Sequence, residues 1–210
     1  MAEVERPGAQ EWVPERGGVS ALREAVHGCR GCELWAPATQ AVFSSGPARA
    51  RLMLVGEQPG DQEDKAGEPF VGPAGRVLRD ALETAGVGIG EVYLTNAVKH
   101  FRFEERGKRR LHKNPEVAHI TACRPWLDAE LAAVRPEVVV ALGATAGRAV
   151  FHRTVRIGAE RGTITETPEG VRALLTAHPS AVLRLRGKPE WDDAFGQLAA
   201  DLATAAGALD

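Results

Sequence analysis

This chain has no run of apolar residues as long as the ~20 that a membrane-spanning helix requires. Its first residues are acidic and broken by Pro7 and Gly8, unlike the basic and apolar regions of a secretory leader. Both absences point to a cytoplasmic protein. Charge is nearly balanced, at a formal −2, so any affinity for nucleic acid must come from a local patch. Cysteine is scarce as well. Three thiols, Cys29, Cys32 and Cys123, argue against a disulfide framework in a reducing compartment. The sequence carries no internal repeat and no low-complexity segment, and its glycines form neither a Walker loop nor a dinucleotide fingerprint.

What remains suits one well-cored domain of ordinary composition, since 210 residues do not demand two. Residues 1–19, polar with proline and glycine, read as a flexible N-terminal arm, and 20–210 as a single domain. Four short apolar runs stand out: RLMLVGE at 51–57, VYLTNAV at 92–98, VVVALG at 138–143 and ALLTAHP at 173–179. Continuous rather than alternating apolarity suits strands buried on both faces of a parallel sheet. Helix-like segments lie at 75–86, 116–134, 144–151 and near 190–206, the first with Val77, Leu78, Ala81, Leu82 and Ala85 on one face. The alternation predicts a three-layer α/β/α sandwich around a mainly parallel four-stranded central sheet.

Each strand runs into a polar or glycine-rich motif, and open α/β sheets bind ligands at the carboxyl ends of their strands. The first is followed by a loop dense in glycine and proline, GEQPGDQEDKAGEPFVGPAG at 56–75, in which Glu57, Gln58, Asp61 and Asp64 supply polar groups. Phe70 sits between Pro69 and Val71 inside it, placed either to stack on a flat ligand such as a base or to plug the core. Asn96 ends the second strand, where its amide either reads a donor–acceptor edge or caps the strand. His178 ends the fourth, a position at which a lone histidine is more often structural than catalytic. Ser180 follows it, where it could cap a short helix whose N–H groups face a phosphate.

The stretch VKHFRFEERGKRRLHKNP at 98–115 holds three of the five lysines, Lys99, Lys108 and Lys113, beside Arg102, Arg106, Arg109 and Arg110. Gly107 and Pro115 bracket the densest part, which suggests a presented loop rather than a helix face. A solvated charged loop is the ordinary reading of such a run, but it gives no reason for the imidazole of His112. The cysteines pose a second question. Cys29 and Cys32 form a C-x-x-C pair and Cys123 supplies a third thiolate, with His27, His100 or His119 as a fourth donor. Three sulfurs and one nitrogen suit structural zinc or an iron–sulfur cluster, the alternative being three unrelated thiols.

Together these motifs resemble the uracil-DNA glycosylase superfamily, over roughly Cys29 to Arg184. The carriers are the C-x-x-C, GE-x-PG-x-x-ED-x-x-G-x-PFVG-x-AG, TNAVK, the cysteine in ACRPWL, and HPS-x-x-LR. The pattern is most similar to the iron–sulfur-containing family-4 branch and, within it, to the covalently trapping type called UdgX. Family 4 has cysteine where this chain has His100, and alanine where it has Gln58. The chain also has extra residues, GKRRLH, similar to the arginine-rich histidine loop of the trapping type, with Leu111 in place of isoleucine.

The resemblance implies a [4Fe–4S] cluster on Cys29, Cys32, His100 and Cys123, and uracil-containing DNA as the partner, single-stranded or double-stranded, met by a monomer at the bacterial nucleoid. It implies that Phe70 stacks on a flipped uracil, that Asn96 reads its polar edge, and that His178 stabilises the leaving anion. His112 would capture the sugar in place of water, with Lys108, Arg109, Arg110 and Lys113 disfavouring its protonation and gripping phosphates. Ser180 and Arg184 would hold flanking DNA. Glu57 would position His112, and Gln58 and Asp61 would organise the pocket, Gln58 also contacting uracil. A conventional enzyme that turns over, and a non-catalytic lesion binder, are the alternatives.

Overall fold

The computed structural model describes residues 6–209. In chain order its elements begin with α1 (Gly18–Ala25), β1 (Ser44–Ser45), β2 (Leu52–Gly56), α2 (Asp61–Ala66) and α3 (Pro73–Thr84). The middle holds β3 (Val92–Asn96), β4 (Phe103–Arg106), β5 (Arg109–His112), α4 (Val117–Val134), β6 (Val138–Leu142) and α5 (Gly143–Phe151). It closes with α6 (Ile157–Glu160), β7 (Ile164–Glu166), β8 (Arg172–Thr176), α7 (Pro179–Leu183) and α8 (Trp191–Gly207).

The four apolar runs form the four parallel strands of one sheet, in the order β3-β2-β6-β8. Every residue of β2, β3 and β6 is buried, which explains why these strands show no alternation in sequence. Alternation reappears in space. Met53, Val55, Tyr93, Val139, Ala141, Ala173 and Leu175 pack into one layer with α1, α4 and α5. Leu52, Leu54, Leu94, Val140, Leu142 and Leu174 pack into the other, against α3 and α8. The expected sandwich is therefore present, and it carries two additions. Short antiparallel strands, β1 on β3 and β7 on β8, extend the sheet to six strands. At two and three residues they are too short for periodicity to reveal.

The basic stretch is presented, as expected, but as a two-stranded hairpin, β4 paired with β5, turning at Gly107 with φ 60°. The arm expectation is corrected from residue 6 onward, residues 1–5 lying outside the described part. The Arg6 guanidinium meets Glu33 at 2.5 Å, the Gly8 N–H donates to Gly31 O at 2.9 Å, and the Ala9 N–H donates to Ala122 O at 2.8 Å. Gly31 allows this approach, because a Cβ there would lie 2.8 Å from the Gly8 backbone. Ala9 is buried in the core and Trp12 and Val13 pack against it, too few apolar residues for hydropathy to register.

Candidate functional site

The strand order reverses at β2, since β3 lies on one side of it and β6 on the other. The carboxyl ends of the strands at such a switch point open a crevice. There the molecule has a cavity of about 760 Å³, lined among others by Glu57, Gln58, Phe70, Asn96, His112, Thr145, His178, Ser180 and Arg184. Residues up to 127 positions apart in the sequence, Glu57 to Arg184, thus converge on one site, and the segments after all four parallel strands reach it.

Two glycines shape its floor. A Cβ on Gly56 would lie 2.3 Å from Asn96 Oδ1 and 2.7 Å from Phe70 Cζ, so only glycine lets that ring and that amide share the end of β2. Gly143 at φ 88° does the same for His178, whose Cβ would be 2.9 Å away. Phe70 itself has φ 58°, a left-handed conformation that costs a bulky residue energy and is kept where the surroundings enforce it.

The tautomer of His178 follows from its partners. Its Nδ1 accepts the Ser180 backbone N–H at 3.1 Å, and the Ser180 hydroxyl lies 2.8 Å away. Burial pushes its pKa down to about 4, helped by the charges of His112 and Arg184. The ring is therefore neutral near pH 7, with its proton on Nε2, a ready donor to an anionic oxygen.

The orientation of Gln58 is fixed in the same way. The Arg102 N–H can only donate, so Gln58 Oε1 faces it at 3.1 Å. The amide nitrogen then faces Arg102 O at 3.2 Å, Lys113 O at 3.0 Å and His112 Nε2 at 3.0 Å. Gln58 thus ties the end of β2 to both roots of the hairpin, and its polar atoms are taken up by protein. Gln58 lines the cavity in which contact with uracil is expected, and it also holds His112. The two amide hydrogens serve the two carbonyls, and His112 Nε2 is held beside them.

Glu57 Oε1 lies 3.4 Å from the same Nε2, and Glu57 Oε2 accepts a hydrogen bond from the Thr145 hydroxyl. Thr145 was not singled out in sequence, although its strand-end GAT motif was the available signal. The pKa of His112 is lowered mainly by desolvation, opposed by Glu57 and assisted by Arg184. This corrects the expected cause, since the loop's own cations do not account for the shift. Their charge is spent elsewhere or points outward.

Arg110 donates to Asp61 at 2.6 Å and to Asp64 at 2.6 Å, and lies over the rings of Phe101 and Phe103. It pins the hairpin to α2 and is not a free phosphate contact. Asp61, bound to Arg110 and Lys65, lies outside the central cavity, in a neighbouring cleft with Lys108 and Arg109. Lys99 leaves the surface patch altogether. Fully buried, its ammonium pairs with Glu130 and donates to Asn96 O at 2.9 Å. Lys108 and Arg109 are exposed at the hairpin tip, and Lys113 is bound to Glu104 at 3.0 Å.

The thiols lie behind the sheet. Cys29, Cys32 and Cys123 are buried in one core layer with Trp126. The Trp126 N–H donates to Cys29 Sγ at 3.3 Å and the Lys99 backbone N–H to Cys123 Sγ at 3.3 Å. Burial pushes Cys32 up to about 11 and Cys123 up to about 12. His100, one residue beyond Lys99, is buried and held down to about 4, first by burial and then by Arg30. The other candidate donors drop out. His27 is exposed, and His119 is occupied by the Glu116 N–H at 2.9 Å and Glu33 at 2.8 Å. Among the described residues, no group of three or more acidic, His or Cys side chains is arranged as a ready-made metal site. The donor chemistry nevertheless fits a soft metal centre: N–H groups aimed at sulfur, and a neutral imidazole on the next element.

Comparison with known proteins gives the site a context. The model of the uracil DNA glycosylase superfamily matches residues 43–203. The chain is 33% identical to the type-4 uracil-DNA glycosylase of Pyrobaculum aerophilum over 181 residues, 81% of this chain and 89% of that one. It is 36% identical to the type-4 enzyme of Thermotoga maritima over 166 residues, 79% of this chain and 83% of that one. A third type-4 enzyme, from Sulfurisphaera tokodaii, is 37% identical over 133 residues, which are 63% of this chain and 57% of the relative.

Proposed function

The chain belongs to the uracil-DNA glycosylase superfamily, and we propose that it excises uracil from DNA and ends joined through His112 to C1′ of the abasic site. The observation that carries this reading is the histidine itself. A neutral imidazole lines the cavity, its Nε2 held 3.0 Å from the Gln58 amide nitrogen and 3.4 Å from the Glu57 carboxylate.

A uracil must leave the base stack to reach the cavity. Phe70 then stacks on it, and the Asn96 amide pairs with the N3–H and O4 edge that cytosine presents with reversed polarity. The C1′–N1 bond breaks with its electron pair going to uracil. His178 Nε2–H donates to the anionic carbonyl, and Glu57 faces the developing cationic sugar. The His112 lone pair then forms the N–C1′ bond. The ring proton leaves to solvent, and uracil regains one proton, so no water is consumed. The product is an N-alkyl imidazole, a poor leaving group. Lys108, Arg109, Lys113 and Arg184, with the backbone that follows Ser180, grip the phosphates on either side. Cys29, Cys32, His100 and Cys123 would hold a [4Fe–4S] cluster, which would cross-link the N-terminal segment, the end of β3 and α4.

The test is a denaturing gel of protein mixed with a short uracil-containing oligonucleotide and boiled in detergent. A slow band that survives, with its peptide adduct on His112, supports the reading. Free uracil without such a band makes the protein a conventional glycosylase. Retention of the oligonucleotide without free base makes it a binder.

A further inference from the structure

Phe70 holds a backbone conformation that its own side chain disfavours, at φ 58°, so something in the fold must enforce it. One side chain is bonded on both flanks of that loop. Glu63, on α2, accepts the Gly60 N–H on Oε2 at 3.1 Å and the Gly72 N–H on Oε1 at 2.7 Å. One carboxylate thereby closes the segment 60–72 into a ring, with Phe70 two residues before the second anchor. Both anchors are glycines that admit the carboxylate closely, since a Cβ would lie 2.6 Å from Oε2 at Gly60 and 2.8 Å from Oε1 at Gly72. The third support is Gly75, in the first turn of α3, where a Cβ would fall 1.7 Å from Phe70 O. The Phe70 backbone is therefore pressed on α3 from one side and drawn to α2 by Glu63 from the other.

We infer that Glu63 is a positioning residue for the base-stacking face: its two-handed carboxylate clamp holds Phe70 in the orientation that receives uracil. The inference rests on the functional reading above and goes beyond it, because Glu63 has no part in the chemistry. Glutamate suits the task where glutamine does not. Each N–H needs an acceptor, and glutamine offers one oxygen and one NH2, so one anchor is lost. Aspartate is one methylene too short to keep both oxygens at the observed bonding distances.

The experiment is a double-mutant cycle between Glu63 and Phe70, read as single-turnover uracil release from a uracil oligonucleotide, with Tm measured for each protein. Glu63→Ala should slow release ~10–100-fold, the scale of a small misplacement of a binding group, and Glu63→Gln should slow it less. In a Phe70→Ala background, Glu63→Ala should slow release by less than ~2-fold, because its effect passes through the ring. An equal slowing in both backgrounds, or none in either, overturns the clamp. Hydrogen exchange separates this from failure of the functional reading. If the unaltered protein releases no uracil, that reading falls, while the clamp is still decided by segment 67–72. Faster exchange there in Glu63→Ala supports the clamp, and unchanged exchange overturns it.

Discussion

His112 and His178 line one cavity, both are neutral near pH 7, and the account gives them opposite tasks. His178 keeps a proton on Nε2 to donate, whereas His112 is to supply a nucleophilic ring nitrogen. His112→Ser should abolish the detergent-stable adduct while uracil release continues, measured on the same gel and by release of free base. Cross-linking by the unaltered protein should be level through neutral pH. It should fall only below the ordinary histidine range near ~6.5, because protonation removes the lone pair and the pKa of His112 is lowered. His178→Asn should slow uracil release ~10²–10³-fold, the usual loss on removing one donor to a developing anion. His178 also bears on stability. Its folded pKa, about 4, lies below the unfolded ~6.5, so the unfolded chain binds the extra proton between these values. Stability should therefore fall as pH drops through that window, and Tm measured against pH should fall less steeply in His178→Asn. At this scale the sequence was enough to place Glu57, Asn96 and His178 at the cavity, because residues at the ends of the parallel strands must face the crevice. It did not show the bonds of Gln58 and Asp61, whose partners come from a hairpin distant in the chain.

The element that distinguishes this site is the hairpin of β4 and β5. Its cations divide into one that anchors and others that face out. Arg110 bonds Asp64, whose side chain is fully buried, so Arg110→Met should leave that carboxylate short of its counter-charge. A loss of ~3 kcal/mol of stability is expected, read by denaturant unfolding, together with slower cross-linking as the hairpin drifts from the cavity. Lys108→Ala and Arg109→Ala should leave stability unchanged. Each should lower the slope of log affinity against log salt by ~1 in a DNA-binding titration. Composition saw only a basic run here. Separating anchor from contact needs the register, Glu105 opposite Arg110 and Arg106 opposite Arg109, which no local pattern specifies.

Across the whole molecule, the segment after β3 joins the cavity to the thiol layer. Asn96 ends β3 at the cavity, and Lys99 and His100 follow at the thiol layer, with the Lys99 ammonium bonded back to Asn96 O. A cluster on the four donors would brace the segment that carries Asn96. Purified protein should contain iron and acid-labile sulfide in near-equal amounts, and Cys123→Ala should lose both, by elemental analysis. The fold was legible because four buried strands leave unmistakable apolar runs. The edge strands and the packed residues 6–17 were not, because backbone bonds, one arginine and a few scattered apolar contacts hold them without a periodic pattern. Self-trapping fixes the protein's fate after one reaction, and the yield of free uracil with uracil-containing oligonucleotide in large excess tests it most directly. Release should come as a burst that stops at one uracil per protein molecule, with the protein recovered as the cross-linked species. Continued linear release beyond that stoichiometry would contradict it.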